Sequence, residues 1–274
     1  MNDRVLRVGA VAYDPKVVTI WEGLREYFRG AGVPTDYVLF SNYEAQVAAL
    51  LEGTIDIAWN TNVAFVRCEA ATGGRCLVLG MRNTDLGFAT RLVARADSGI
   101  GGLGDLRGKR LALGSADSAQ AAILPLHWLR QTGLDPDRDL ELLRFDLDVG
   151  KHGDTGTSEL EVLRALHEAK ADAGVVGDPT WVRELETGRV NSSLVRSVWT
   201  SPGYSHCNFT ALPGFDGELG RRWTEALLAM NYNDPRWRHL MDLEGLTAWL
   251  PGRKDGYAEL TEAMGERLAA PATG

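Results

Sequence analysis

Apolar and polar positions along this chain follow two alternating periods. A β-rich run from Arg4 to Val11 precedes Val17 to Arg29, where apolar residues recur three and four apart until Gly30. The first pattern predicts a strand and the second an amphipathic helix. The alternation continues with strands at Tyr37–Phe40, Ile55–Trp59 and Leu77–Gly80, and helices at Glu44–Glu52 and from Val63. A second block holds the strand "KRLALG", a helix from Ser118 to Gln131 stopped by Gly133, and a strand at Leu140–Phe145. It ends with a helix at Leu160–Ala169 and the strand "ADAGVVGD", and the chain is helical again from Gly217. This order predicts an α/β protein of two lobes with mainly parallel sheets. The expected division is 1–88 plus 209–274 for lobe one and 89–208 for lobe two. A two-strand hinge is expected near 88–93 and 200–208. The tail "AAPATG" is expected to be disordered.

The 274 residues, 45% of them hydrophobic and 24% charged, are enough for well-buried cores. A net charge of -8 opposes nucleic acid and anionic membrane as partners. The amino-terminal apolar run is interrupted by Arg4 and Arg7, and no stretch reaches the roughly 18 apolar residues of a membrane helix. Cys68, Cys76 and Cys207 are odd in number and lack zinc-finger spacing. These features lead us to expect a cytoplasmic protein with reduced thiols, or a periplasmic or extracellular one if a signal peptide has been removed.

The segments "LEGTIDIAWNTNVAFV", "GDLRGKRLALGSADSAQAAILPLHWLRQTGLDP", "HEAKADAGVVGD" and "VWTSPGY" follow one another in an order that narrows the field. In this order they resemble the phosphonate- and phosphite-type substrate-binding proteins of ABC transporters, which have the type II periplasmic-binding-protein fold. The resemblance spans roughly residues 4 to 260. It implies two lobes that close on a small ligand, and a transporter permease as partner if the protein is exported. It also implies that the loop after the "GKR" strand opens a helix whose hydroxyls and amides grip an anion. Here that loop reads "GSADSAQAA", with Asp117, Ala119 and Gln120 beside Ser118. A doubly charged phosphonate is expected to find fewer donors there.

Ligands of open α/β sheets bind outside the carboxyl ends of strands. The polar residues expected there are Tyr13 and Asp14; Trp59, Asn60 and Asn62; Arg82 and Asp85; Ser115, Asp117, Ser118 and Gln120; and Tyr204. Trp59 also suits a core, and Arg82 with Asp85 also suits a surface pair. In "DVGKHGDTGTSELEVL", Ser158 with Glu161 fits a capping box, which leaves His152 and Asp154 unexplained. His206 and Cys207 adjoin on the second crossing, where an extended chain turns only one of them to a ligand. His127, His167 and His239 are expected at the surface.

Two functions follow. One is a binding protein that closes on a small polar ligand, anionic or zwitterionic. The other is an enzyme on the same fold, of lyase or decarboxylase type, drawing its catalytic groups from His152, His206, Asp154, Glu159 and Cys207. His152, His206 and Asp154 would suit iron or zinc if they converge.

Overall fold

The computed structural model describes residues 4–269. The chain forms two compact units, Met1–Gly87 with Ser205–Tyr257 and Phe88–Tyr204 with Ala258–Gly274. The first unit opens with β1 (Leu6–Val11), α1 (Lys16–Gly30), β2 (Thr35–Phe40), α2 (Tyr43–Leu51), β3 (Ile57–Asn60), α3 (Asn62–Thr72) and β4 (Leu77–Arg82). The second unit begins with β5 (Thr90–Arg95), β6 (Arg110–Leu113), α4 (Leu124–Gln131), the short α5 (Pro136–Asp139) and β7 (Glu141–Arg144). It continues through α6 (Thr157–His167), β8 (Ala173–Gly177), α7 (Asp178–Glu186) and β9 (Val195–Thr200). The first unit then resumes with β10 (Asn208–Ala211), α8 (Gly217–Leu228), α9 (Pro235–Glu244) and β11 (Trp249–Pro251), and α10 (Ala258–Ala269) returns to the second.

The sheet of the first unit has the order β11-β4-β10-β3-β1-β2, and that of the second β7-β6-β8-β5-β9. Both are mixed where the sequence suggested mainly parallel strands. β1 runs parallel to β2 and β3, but β10 lies antiparallel between β3 and β4. In the second sheet β6 is parallel to β7 and β8, while β5 is antiparallel to β8 and β9. The antiparallel members are strands that follow or precede a passage between units, where no crossover helix imposes a parallel return.

The core of the first unit is aromatic. Phe28 stacks on Trp223 at 4.9 Å, and Phe209 packs against Trp59, Trp223 and Trp249. The second unit buries Val93, Val162, Leu166 and Val176 in one cluster and Leu92, Leu111, Leu129 and Val175 in another. The central strand β8, "AGVVG", is apolar and buried along its whole length.

The helix α10, expected in lobe one, belongs to the second unit. Its buried Leu260 and Ala263 and the bond from His127 on α4 to Glu266 account for this. Conversely, residues 205–208, expected in lobe two, belong to the first, where Asn208 begins β10. The "AAPATG" tail lies outside the described residues from 270 onward. Among the described residues no helix is long and apolar enough to cross a membrane.

Candidate functional site

In the second unit, Gly114 directly follows β6, and the chain must turn there against its neighbours. A Cβ at this position would lie 2.6 Å from the Ala121 Cβ and 3.1 Å from the Ser158 Oγ, so only glycine fits without a shift. The Gly114 N–H donates to the Ala121 carbonyl at 2.9 Å. Ser118 then caps the following helix, its Oγ accepting from the Ala121 N–H at 3.2 Å. Its carbonyl accepts from Ile123 N–H at 2.9 Å, a five-residue spacing that opens α4 with a π turn over Ala119–Ile123.

The segment 146–156 packs on this turn. The Asp146 carboxylate accepts from the Ala116 N–H at 2.7 Å, the Ser115 hydroxyl donates to the Leu147 carbonyl, and Asp117 accepts from the Gly150 N–H at 2.5 Å. Gly153, at φ 87°, sits so close that a Cβ would approach the Ser118 Oγ to 2.6 Å and the Gln120 Nε2 to 2.8 Å. His152 beside it also has left-handed backbone, φ 53°, and is buried. Positive φ is uncommon outside glycine, though histidine tolerates it better than most residues. Asp154 is half-buried in the same segment.

Behind the turn stands Glu159, 2% exposed. It accepts from the Gly177 N–H at 2.8 Å and from the Gln120 amide at 3.1 Å. Burial raises its pKa above the ordinary carboxylate value, against the lowering effect of those donors. Thr90 donates to the Gln120 carbonyl at 3.0 Å and meets the Tyr204 hydroxyl at 2.9 Å, and burial pushes the Tyr204 pKa up. Three buried polar atoms around the turn, Ser158 Oγ, Gln120 Oε1 and Asp117 Oδ1, have no hydrogen-bond partner among the described residues.

Ser158 is thus not the cap expected from the sequence. Gly156 takes the N-cap position at φ 69°, α6 begins at Thr157, and Ser158 is turned inward in the first helical turn. Glu161 pairs with Arg164 instead. Ser158, Thr90 and Gly114 adjoin the turn although the sequence pattern does not single them out as ligand contacts. For Gly114 the local signal is a glycine directly after a buried strand.

The first unit places its candidates differently. Asp14 is exposed and accepts from the Lys16 N–H at 2.8 Å, which turns the chain into α1; Tyr13 is half-buried beside Lys16. Trp59 is a core residue. Asn60, expected to meet ligand, is instead held by protein groups. It accepts from the Gln46 amide at 2.8 Å and donates to Thr210 at 3.0 Å and to the Cys68 sulfur at 3.7 Å. Asn62 donates to the Ser205 carbonyl at 3.4 Å, and Thr61 caps α3.

Arg82 and Asp85 are not a surface pair. Two guanidinium nitrogens reach the Asp85 carboxylate at 2.7 and 2.9 Å, with Asp85 wholly buried. Burial by itself would raise the Asp85 pKa, but Arg82 and His206 overcome it and hold the carboxyl at about 2. Arg82 lies over the Trp59 ring at 5.2 Å. Asp85 also receives the Cys207 N–H at 3.1 Å, and its carbonyl the His206 N–H at 2.9 Å. Here the chain departs from an extended strand. The His206 Nδ1 and Cys207 Sγ are 3.0 Å apart, so the two side chains do not point to opposite sides. Asp85, His206 and Cys207 bring one ligand atom each within 4.8 Å of the others. His206 belongs to the first unit, and His152 and Asp154 to the second.

Of the other histidines, His239 is exposed as expected, and His167 is half-buried, joining Leu163 to Asn191. His127, also expected at the surface, is completely buried, because α10 covers that face of α4.

Residues 10–257 match a family model described as the periplasmic substrate-binding protein of phosphonate ABC transporters. A probable ABC transporter phosphite binding protein, PhnD1 of Prochlorococcus marinus, is 22% identical over 280 residues, covering 97% of this chain and 91% of the relative. The structure of PhnD1 in complex with methylphosphonate superposes with a TM-score of 0.74 at 18% identity, covering 98% of this chain and 99% of that one. The periplasmic aliphatic sulphonate binding protein SsuA of Escherichia coli gives a TM-score of 0.63 at 18% identity, over 97% and 92% of the two chains. The two mixed sheets are those of a two-lobe type II periplasmic-binding-protein fold. With most of its length matching, the chain belongs to the family of phosphonate-type ABC transporter substrate-binding proteins.

Proposed function

We infer that this chain captures a small anionic or zwitterionic ligand at the Ser115–Gln120 turn and delivers it to a transporter permease. The observation that carries this reading is the set of unpartnered buried atoms around the turn, one hydroxyl and two acceptors. A buried polar atom without a partner costs about 1–3 kcal/mol, which a ligand repays by supplying the missing bond. The helix start supplies partial positive charge and N–H groups for an anion. Gln120 Oε1 and Asp117 Oδ1 ask for a donor in return. The ligand therefore carries both an anionic oxygen and an O–H or N–H group. A singly protonated phosphonate or phosphite satisfies this, and so does an amine-bearing phosphonate. A phosphonate dianion beside Asp117 and Glu159 does not.

Calorimetry tests the reading with methylphosphonate, phosphite, an aminoalkylphosphonate and methanesulfonate, which has an anion but no donor. At least one of the donor-bearing compounds should bind, and methanesulfonate should not. Ser158→Ala should weaken binding at least tenfold, the equivalent of about 1.4 kcal/mol, with an unchanged melting temperature. Equal affinity for methanesulfonate would remove the donor requirement, and silence from all four would remove the site. Recovery of the ligand unchanged distinguishes a carrier from the enzyme reading, in which the ligand would be converted.

A further inference from the structure

The helices α4 and α10 of the second unit meet at a second polar cluster, away from the Ser115–Gln120 turn. His127 on α4 is completely buried. The Gln131 amide donates to its Nε2 at 2.9 Å, so the ring proton sits on Nδ1 and is shared with the Glu266 carboxylate at 3.0 Å. Glu262 stands one helical turn before Glu266, so both carboxylates lie on one face of α10. A ligand atom from each of His127, Glu262 and Glu266 falls within 4.8 Å of the other two. Among the described residues, neither glutamate pairs with a lysine or arginine. The Glu266 carboxylate is 38% exposed and Glu262 is exposed, so solvent reaches the cluster from one side.

This arrangement has the parts of a cation site rather than of a simple helix contact. Two carboxylates converge on one imidazole, and among the described residues no lysine or arginine offsets their charge. The second ring nitrogen meets the Gln131 side-chain amide, which can offer either its N–H or, once turned over, its oxygen as the acceptor that metal-bound histidines require. We propose that His127, Glu262 and Glu266 bind one divalent first-row transition ion, zinc in preference to magnesium. One nitrogen and two carboxylate oxygens suit zinc, with water in the fourth position. Magnesium favours an all-oxygen shell. Binding moves the ring proton from Nδ1 to Nε2, and a half-turn of the Gln131 amide presents its oxygen to accept it. The ion then ties α10 to α4, and so fixes the helix that follows the last passage of the chain between units.

The test uses the full chain without an affinity tag, stripped by a chelator. Zinc should bind with a stoichiometry of one and raise the melting temperature, and magnesium should do neither. Cobalt should give visible d–d bands without a sulfur charge-transfer band. Glu262→Gln, at an exposed position that does not threaten folding, should weaken zinc at least tenfold, and His127→Gln should do the same. Cys207→Ser should leave zinc affinity unchanged. The proposal fails if zinc does not bind at sub-millimolar concentration, or if Glu262→Gln binds it as tightly as the parent. It fails equally if a charge-transfer band that Cys207→Ser removes places the ion at the Asp85–His206–Cys207 cluster.

Discussion

Asp85→Ala is expected to destabilise the first unit by about 3–5 kcal/mol, the cost of leaving a buried charge without its partner. Arg82 loses its bidentate acceptor, and the Cys207 N–H loses its own. Urea denaturation should show an earlier transition, and a midpoint equal to the parent's would mean that Arg82 finds water or another acceptor instead. Asp85→Asn, which keeps the shape and part of the hydrogen bonding, should cost less.

The same carboxylate sets a pH dependence. Its folded pKa of about 2 lies below the ordinary 3.8, so its stabilisation is complete above about pH 4 and disappears as pH falls towards 2. Glu159 acts with the opposite sign. Its folded pKa is raised above 4.5, so the cost of its burial is absent below 4.5, grows as pH rises from there towards the folded value, and is complete above it. Acidification from neutral should first relieve Glu159 and only then weaken Asp85. Melting temperatures across this range should therefore lose their mild acid gain in Glu159→Gln and their acid fall in Asp85→Asn. Parallel curves for all three proteins would contradict both assignments.

Gly153→Ala should have the other large effect, on binding as well as on stability. The residue sits at φ 87°, where an L side chain costs roughly 1–2 kcal/mol. Its new Cβ would lie 2.6 Å from the Ser118 Oγ and 2.8 Å from the Gln120 amide, and overpacking of this kind adds about 1–3 kcal/mol. Relief requires the 146–156 segment or the helix cap to move, and both adjoin the polar atoms assigned to the ligand. Affinity for the ligand found by calorimetry should fall at least tenfold, with a lower melting temperature. Gly188→Ala, where φ is also positive but nothing crowds the new Cβ, separates the two terms. It should show the backbone cost alone and normal binding. If Gly153→Ala binds as tightly as the parent, the ligand does not use this turn.

Much of the architecture was legible because it depends on local chemistry. The change from a period of two to one of 3.6, and a glycine such as Gly133 just beyond a helix end, mark elements without reference to distant residues. The ordered motifs from "LEGTIDIAWN" to "VWTSPGY" carried the family and hence the two-unit fold, which the match over residues 10–257 bears out. The loop containing Ser118 was legible as a helix start for the same reason.

The fate of individual polar side chains was not legible, because their partners lie far away in sequence. Asp85 is buried by Arg82 three residues away but also by Cys207, 122 residues on. Asn60 spends its hydrogen bonds on Gln46 and Thr210. Ser158 looked like a cap because S-x-x-E is a local pattern, whereas a left-handed Gly156 starts the helix and turns the hydroxyl inward. His127 read as a surface residue until α10, whose Glu266 stands 139 residues away, covered it. By itself the sequence determined the family and most of the strand–helix order as far as β8, since these follow from neighbours along the chain. Only the tertiary structure decided which polar groups are neutralised inside the protein and which are left for a ligand, since desolvation and pairing depend on what folding brings together.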